Sequence, residues 1–448
     1  MLSPAKARDS AAALVERAVK AGATAADAVY VGDRSDSVTV RMGELEGVSS
    51  SEGEEIGLRV FIGKRSASVA SSALTPDALA SLVERAIAMA GEAPEDEFAG
   101  LAPEELLLRG DPVEFDCFDA TEVDPTALKA RALEAESAAL AVPRITNSGG
   151  ASASASASTI ALATSSGFAA ASRSSGHGVS ASVVAGEAGA LQRDYDYDSA
   201  RFLADLEDAT EIGRRAGTRA AARLDPVKLS PGRMAVLFDA RVATSLLGHF
   251  AGAITGSSIA RKASFLLEKM GERIFAPGIT ICDDPHRPRG LRSRGFDGEG
   301  LPTIARNLVD DGVLTSWLTE SASARQLGIA PTGHAVRGAS GAPGAGPGNL
   351  YLEAGTRTTE QLLAAYPRAV LITELIGMGV NAVTGDYSRG AAGFLVEQGE
   401  IVGPIAEITI ASNLLEMFAS LEPGNDLTLR RGIDSPTLLI PEMMVAAG

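Results

Sequence analysis

Ala151-Ser152-Ala153-Ser154-Ala155-Ser156-Ala157-Ser158 runs directly into Thr159-Ile160-Ala161-Leu162-Ala163-Thr164, and the fold turns on how this stretch is read. As low-complexity Ser/Ala it has the composition of a linker. As a period-two alternation flowing into a β-prone segment, it is a strand with small side chains on one face. The alternation favours the strand. Its partner is residues 177–185 (HGVSASVVA), beyond the turn-like Ser165-Ser166-Gly167.

Upstream, residues 5–21 place Ala11, Leu14, Val15, Ala18 and Val19 on one helical face. Residues 28–31 and 36–42 follow as strands, then 57–62 and 66–71 as a hairpin across Gly63-Lys64-Arg65. Thr75-Pro76-Asp77 opens a second helix, with a capping hydroxyl and then proline at the first turn. Residues 91–123 are acidic and Pro-bearing, an extended connection, and Asp124-Pro125 starts a helix to about Leu140.

Downstream, Asp194-Tyr195-Asp196-Tyr197-Asp198 leads into a long helix ending near Leu224. Pro226 and Pro231-Gly232 mark a domain boundary. Residues 233–238 (RMAVLF) read as a buried strand and 240–254 as the helix after it. From Gly278 onward, short strands alternate with Gly and Pro, and residues 338–348 (GASGAPGAGPG) have the composition of a mobile loop. The expected class is α+β. A helix–sheet–helix unit spans 1–92, and a middle α/β portion over 93–225 continues the same domain. A β-rich, barrel-like and mostly antiparallel domain covers 226–448.

The 448 residues carry 40 Lys+Arg against 57 Asp+Glu, a formal charge of -17. That excess argues against direct nucleic-acid binding, which rests on neutralising phosphates. No stretch approaches the roughly 20 apolar residues of a membrane span. The N-terminus leads straight into an amphipathic helix and shows no secretory core. Cys117 and Cys282 form no metal-knuckle spacing, and sparing cysteine use suits a reducing cytoplasm.

His177, His249, His286 and His334 are scattered and build no HExxH pair. No GK[ST] follows the glycine-rich 341–348, and no GxSxG elbow occurs. Residues 290–302 (GLRSRGFDGEGLP) concentrate Arg292, Arg294, Asp297 and Glu299, as either an ordered charge-paired turn or a substrate contact. Residues 381–390 bring Thr384, Asp386 and Arg389 into a polar loop before strand-like segments, a pattern that lines grooves. Ser245 lies one helical turn from His249, a conceivable nucleophile and base, with no acid partner evident.

Five segments in order identify a resemblance. They are Phe275-Ala276-Pro277-Gly278-Ile279-Thr280, Asp283-Asp284-Pro285, Phe296-Asp297-Gly298-Glu299-Gly300, residues 383–390 (VTGDYSRG) and residues 407–414 (EITIASNL). Together they resemble the TldD/PmbA family, formerly called modulators of DNA gyrase, across nearly the whole chain. The TldD branch carries HExxxH on one helix and a late cysteine ligand, and resembles a zinc peptidase. Here the matching hexapeptide is Thr244-Ser245-Leu246-Leu247-Gly248-His249, and no cysteine follows Cys282. The first histidine is replaced by Thr244 and the glutamate by Ser245, so one imidazole remains where zinc needs three protein ligands. The chain matches the PmbA (TldE) branch.

That resemblance implies no catalytic residue, no metal and no cofactor in this chain, with zinc in a TldD-type partner. The implied assembly is a heterodimer, with a homodimer when the chain is alone, acting on peptides or unfolded proteins. This chain would close the chamber and grip substrate. The other open reading is a non-proteolytic modulator that binds DNA gyrase or a toxin–antitoxin component.

Overall fold

A computed structural model describes residues 1–187 and 189–447. It begins with α1 (Pro4–Lys20), β1 (Ala25–Arg41), β2 (Glu44–Ile62), β3 (Arg65–Ser71) and α2 (Pro76–Glu92). The two expected strands at 28–31 and 36–42 are one strand, because β1 pairs without a break from Ala25 to Thr39 along β2. After a largely irregular connection come α3 (Pro125–Leu140), β4 (Ile145–Thr164), β5 (Ala169–Ala185), β6 (Gln192–Ala200) and α4 (Ala209–Ala222). The Ser/Ala run lies inside β4, central in a six-stranded antiparallel sheet of order β3-β2-β1-β4-β5-β6.

The alternation sorts the two faces of that sheet. Ala151 and Ala153 pack under α3 and α4, and Ala161 and Ala163 pack with α1 and α2. All four helices therefore share one face. Small side chains let the helices lie close: a Cβ on Gly213 of α4 would overlap the Ala135 carbonyl of α3. On the opposite face Val29, Leu162 and Ala170 cluster with Phe296 and Leu301 of the second half. The acidic-aromatic Asp194–Asp198 segment corrects the expectation of a lead-in to a helix. It is the edge strand β6, paired to β5, and α4 starts later, capped by Asp208. Alternating Asp and Tyr is strand patterning, and its charges are held by Arg215, Arg219, Arg223 and Arg241.

The second half opens with β7 (Gly232–Phe238) and α5 (Ala240–Ala253). It continues with β8 (Ile281–Asp283), β9 (Arg306–Asp310), β10 (Val313–Leu314), β11 (Ala335–Val336), β12 (Gly344–Ala345) and β13 (Leu350–Leu352). It ends with β14 (Arg368–Ile376), β15 (Asp386–Glu397), β16 (Glu400–Asn413), β17 (Glu422–Pro423), β18 (Ile433–Asp434) and β19 (Leu438–Ala447). Strands β16-β15-β14-β7-β19 form a ring, closed by pairing of β16 with β19. Closure removes free sheet edges. Among the described strands β14–β7 and β13–β18 pair in parallel and the other ladders are antiparallel, so this α+β chain carries a mostly antiparallel, barrel-like second half. Phe238, Tyr387 and Ile372 of the ring pack with Leu246 and Phe250 of α5 in one core. Within the glycine-rich segment after His334, β11 and β12 pair as a short hairpin.

The halves are tied by buried charge. Asp27 on β1 accepts from Arg59 on β2 at 2.5 and 2.9 Å and pairs with Arg337 beside β11. Arg59 lies 3.9 Å from Glu299. Gly57 on β2 sits so near the Ala339 carbonyl that a Cβ would overlap it.

Candidate functional site

Helix α5 presents the first candidate. Asp239 caps its start by accepting from the Arg241 N–H at 2.9 Å. Arg241 donates to Asp194 at 2.6 Å and to the Thr373 carbonyl at 2.8 Å, fixing the first turn against β6 and β14. Thr244 Oγ1 donates to the Arg241 carbonyl at 3.2 Å, and Ser245 Oγ to the Val242 carbonyl at 2.7 Å. Both hydroxyls thus bond back to their own helix, as Ser and Thr do when nothing else competes. Ser245 spends its proton on Val242 and makes no bond to His249, so the serine nucleophile considered from spacing has no activating base.

His249 Nε2 is buried without a hydrogen-bond partner, and its ring stands edge-on to Tyr387 with centroids 6.2 Å apart. Burial, seconded by the Arg389 charge, holds the imidazole pKa below its ordinary value, so it is neutral near pH 7. Tyr387 Oη and Arg389 Nε are likewise buried and unpartnered, and burial pushes the Tyr387 phenol up. Zinc would need further His, Cys, Asp or Glu ligands here, and the polar neighbours are a phenol and a guanidinium. Among the described residues no group of three such side chains could hold a metal. The residues at α5 do not fit zinc.

Thr384, Asp386 and Arg389 do not converge. Thr384 Oγ1 donates to Asp386 Oδ2 at 2.7 Å, and Asn413 Nδ2 donates to the Thr384 carbonyl at 2.9 Å. Thr384 and Asp386 are an exposed turn beside the helix 414–420, while Arg389 points with Tyr387 to the inner face of β15.

The second candidate is a cleft of about 1450 Å³ between the helical sheet and the barrel half. Arg292 and Arg294 line it from 290–302, as do Arg173 of β5 and Arg201 just after β6. Arg173 lies over the Phe118 ring at 3.5 Å. Arg201 donates to the Ser175 carbonyl at 2.9 Å and to the Leu291 carbonyl at 2.5 Å, a bridge between the halves. Arg294 reaches only the Gly346 carbonyl at 3.4 Å, leaving its Nε unpartnered. Among the described residues none of these four guanidiniums is ion-paired. Asp111, Glu114 and Asp116 sit on the opposing loop, and Asp116 is engaged by Arg289 at 2.8 Å.

Asp297 and Glu299, expected beside Arg292 and Arg294 in a groove, point the other way. Asp297 is 2 % exposed. Its Oδ1 accepts from the Glu299 and Leu301 N–H groups at 2.9 Å each, and its Oδ2 from Ala335 at 3.1 Å. Glu299 Oε2 accepts from Ser321 N–H at 2.7 Å and Oγ at 2.6 Å. Burial raises both carboxyl pKa values. A glycine-rich loop has few side chains of its own to bury, so its two acids knit the backbone together. Arg173, Arg201 and Phe118 belong to the cleft and were not candidates from sequence. The one signal was Arg173 as the sole charge in an Ala/Ser-rich strand.

The chain matches the PmbA/TldA metallopeptidase domain 1 over residues 26–90, the central domain over 118–224 and the C-terminal domain over 231–447. It is 40% identical over 412 residues to "Metalloprotease PmbA" of Escherichia coli O157:H7, covering 92% of this chain and 89% of that protein. It is 36% identical over 442 residues to "Metalloprotease PmbA homolog" of Haemophilus influenzae, covering 98% and 96%. A crystal structure from Bacteroides thetaiotaomicron, described as a candidate modulator of DNA gyrase, superposes with TM-score 0.91 at 26% identity, covering 98% of this chain and 99% of that one. Relatives named for PmbA and for TldD both occur among the matches.

Proposed function

The chain belongs to the PmbA/TldA metallopeptidase family, and from that membership we propose that it is the metal-free subunit of a two-chain zinc peptidase acting on peptides or unfolded proteins. A TldD-type chain would hold the zinc, and this chain would close the chamber and grip substrate. The observation that supports this most is α5. There His249 stands alone between Tyr387 and Arg389, and Thr244 and Ser245 are bonded to their own helix. A zinc peptidase needs three protein ligands and a polarised water, and this helix supplies one imidazole. No helix among the described residues is long and apolar enough to cross a membrane, and the reading assigns the chain to the cytoplasm.

The test is metal content and peptidase activity of the purified chain, alone and mixed with the TldD-type protein of its own genome. We expect activity in the mixture only, abolished by chelator, with zinc tracking the other chain. Stoichiometric zinc and chelator-sensitive hydrolysis by this chain alone would sink the reading. The name carried by the Bacteroides structure favours a second possibility, a non-proteolytic binder of gyrase or of a toxin–antitoxin component. A pull-down that recovers gyrase and no TldD-type chain would select it.

A further inference from the structure

We propose that the α5 site, whose residues do not fit zinc, is an anion site in which His249, Tyr387 and Arg389 together take a small monocarboxylate. The inference shares with the function above only the absence of a metal from α5.

Three polar groups meet there, each with an atom that has no partner among the described residues. Tyr387 is 1 % exposed, and its Oη makes no hydrogen bond. Arg389 Nε and His249 Nε2 are buried in the same condition. Register explains the meeting. Tyr387 and Arg389 lie two apart on β15 and so share a face, and Tyr387 packs in one core with Leu246 and Phe250 of α5. The His249 ring stands edge-on to Tyr387 at 6.2 Å, and the Arg389 charge acts on both the imidazole and the phenol. A buried polar atom without a partner costs about 1–3 kcal/mol, so three in one place call for a ligand that satisfies them together.

The charge selects the ligand. Burial and Arg389 perturb His249 and Tyr387, and no acid figures in either. The acid nearest along the strand, Asp386, alternates to the other face and is held by Thr384 Oγ1 at 2.7 Å and Asn413 Nδ2 at 3.3 Å. With a neutral imidazole the site therefore carries one positive charge. A monoanion balances it, whereas a phosphate dianion would bury an excess negative charge. A guanidinium offers parallel N–H groups to two carboxylate oxygens, a match that spherical chloride cannot use. The Tyr387 O–H and an imidazole N–H supply further donors. The way in runs along α5. His249 and Arg389 are half-buried, Gly248 and Gly252 are exposed, and a Cβ on either glycine would meet nothing within 4 Å.

The experiment uses the full chain and acetate, read by the NMR line width of its methyl protons, with sodium chloride and inorganic phosphate as competitors. We expect saturable broadening that an excess of about tenfold of either competitor leaves in place. Arg389→Gln should remove it, and Tyr387→Phe should weaken binding by about fivefold, the worth of one hydrogen bond. Acetate should also raise the melting temperature of the parent and leave that of Arg389→Gln unmoved. Arg389→Gln discards an uncompensated charge and should melt with the parent in chloride alone. If it does not fold, Tyr387→Phe carries the test.

No broadening at about 100 mM acetate would overturn the inference. So would equal displacement by chloride or phosphate, undiminished broadening in Arg389→Gln, or stoichiometric zinc that is lost in His249→Gln. A mixture with the TldD-type chain that cleaves peptides although acetate does not bind would reject the carboxylate site and leave the subunit reading standing. Acetate binding by a chain that hydrolyses peptides without any partner would do the reverse.

Discussion

Two of the clusters of charge where the halves of the molecule meet are built on opposite plans. In one, Asp27, Arg59, Arg337 and Glu299 lie buried, and each acid has a cationic neighbour. In the other, Arg173 and Arg292 are exposed at the cleft wall and make no ion pair among the described residues, while Arg201 and Arg294 lie deeper and donate to backbone carbonyls. A buried charge is tolerated only when paired, so the first cluster is a device of assembly. An exposed guanidinium such as that of Arg173 or Arg292 keeps its water and carries no pairing requirement. The same residue type is thus structural on one side of the seam and available on the other.

The sharpest way to break this contrast is to unpair the buried cluster. Arg59→Ala would leave Asp27 buried with Arg337 alone and Glu299 without its nearest cation. Urea unfolding should report a loss of about 3–5 kcal/mol, the range for removing one partner of a buried pair. Asp27 is held below the usual carboxylate range by Arg59 and Arg337, which overcome the opposing effect of burial. A melting transition within a degree of the parent would refute the assembly role. Asp194→Ala ranks next. It strips Arg241 of its partner across the seam and Arg223 of one within the first half, and we expect a loss of about 2–3 kcal/mol.

A smaller effect depends on pH. Glu207 is pulled down to about 2 by hydrogen bonds from Arg215 and by Arg430, a residue of the barrel half. A carboxylate depressed in the folded state binds fewer protons folded than unfolded. Its stabilisation is therefore complete above the ordinary glutamate value and fades as pH falls from about 4.5 toward 2. Glu207→Gln should flatten that acid limb, by on the order of 1 kcal/mol at pH 7 once solvent screening is allowed for. Thermal melts between pH 3 and 7 check it, and parallel curves for parent and variant would dismiss the pair.

The sheet was legible because Ala/Ser alternation carries a strand period even without bulky residues, and α5 was legible from its helical spacing. β6 was missed because five residues of Asp and Tyr read as solvent-seeking, although four arginines from α4 and α5 meet them once folded. That Thr244 and Ser245 are poor zinc ligands was legible without coordinates. The direction of Asp297 and Glu299 could not, since it depends on Ala335 and Ser321, which lie far along the chain. Nor could sequence show that β6 stops short of β5's start, because an unpaired edge is a property of register and not of composition.

The least costly change sharpens the comparison from the other side. Arg173 and Arg292 are exposed, and among the described residues no ion pair depends on either. Reversing both charges to Glu removes one stacking contact on Phe118 and sets no buried group free. Stability should therefore shift by no more than about 1 kcal/mol, far below the loss from Arg59→Ala. If the double variant instead unfolds as readily as Arg59→Ala, the cleft arginines carry structural load and the two clusters are not different in kind. If it melts with the parent, charge at this seam divides into pairs that hold the halves together and exposed cations that carry no structural load.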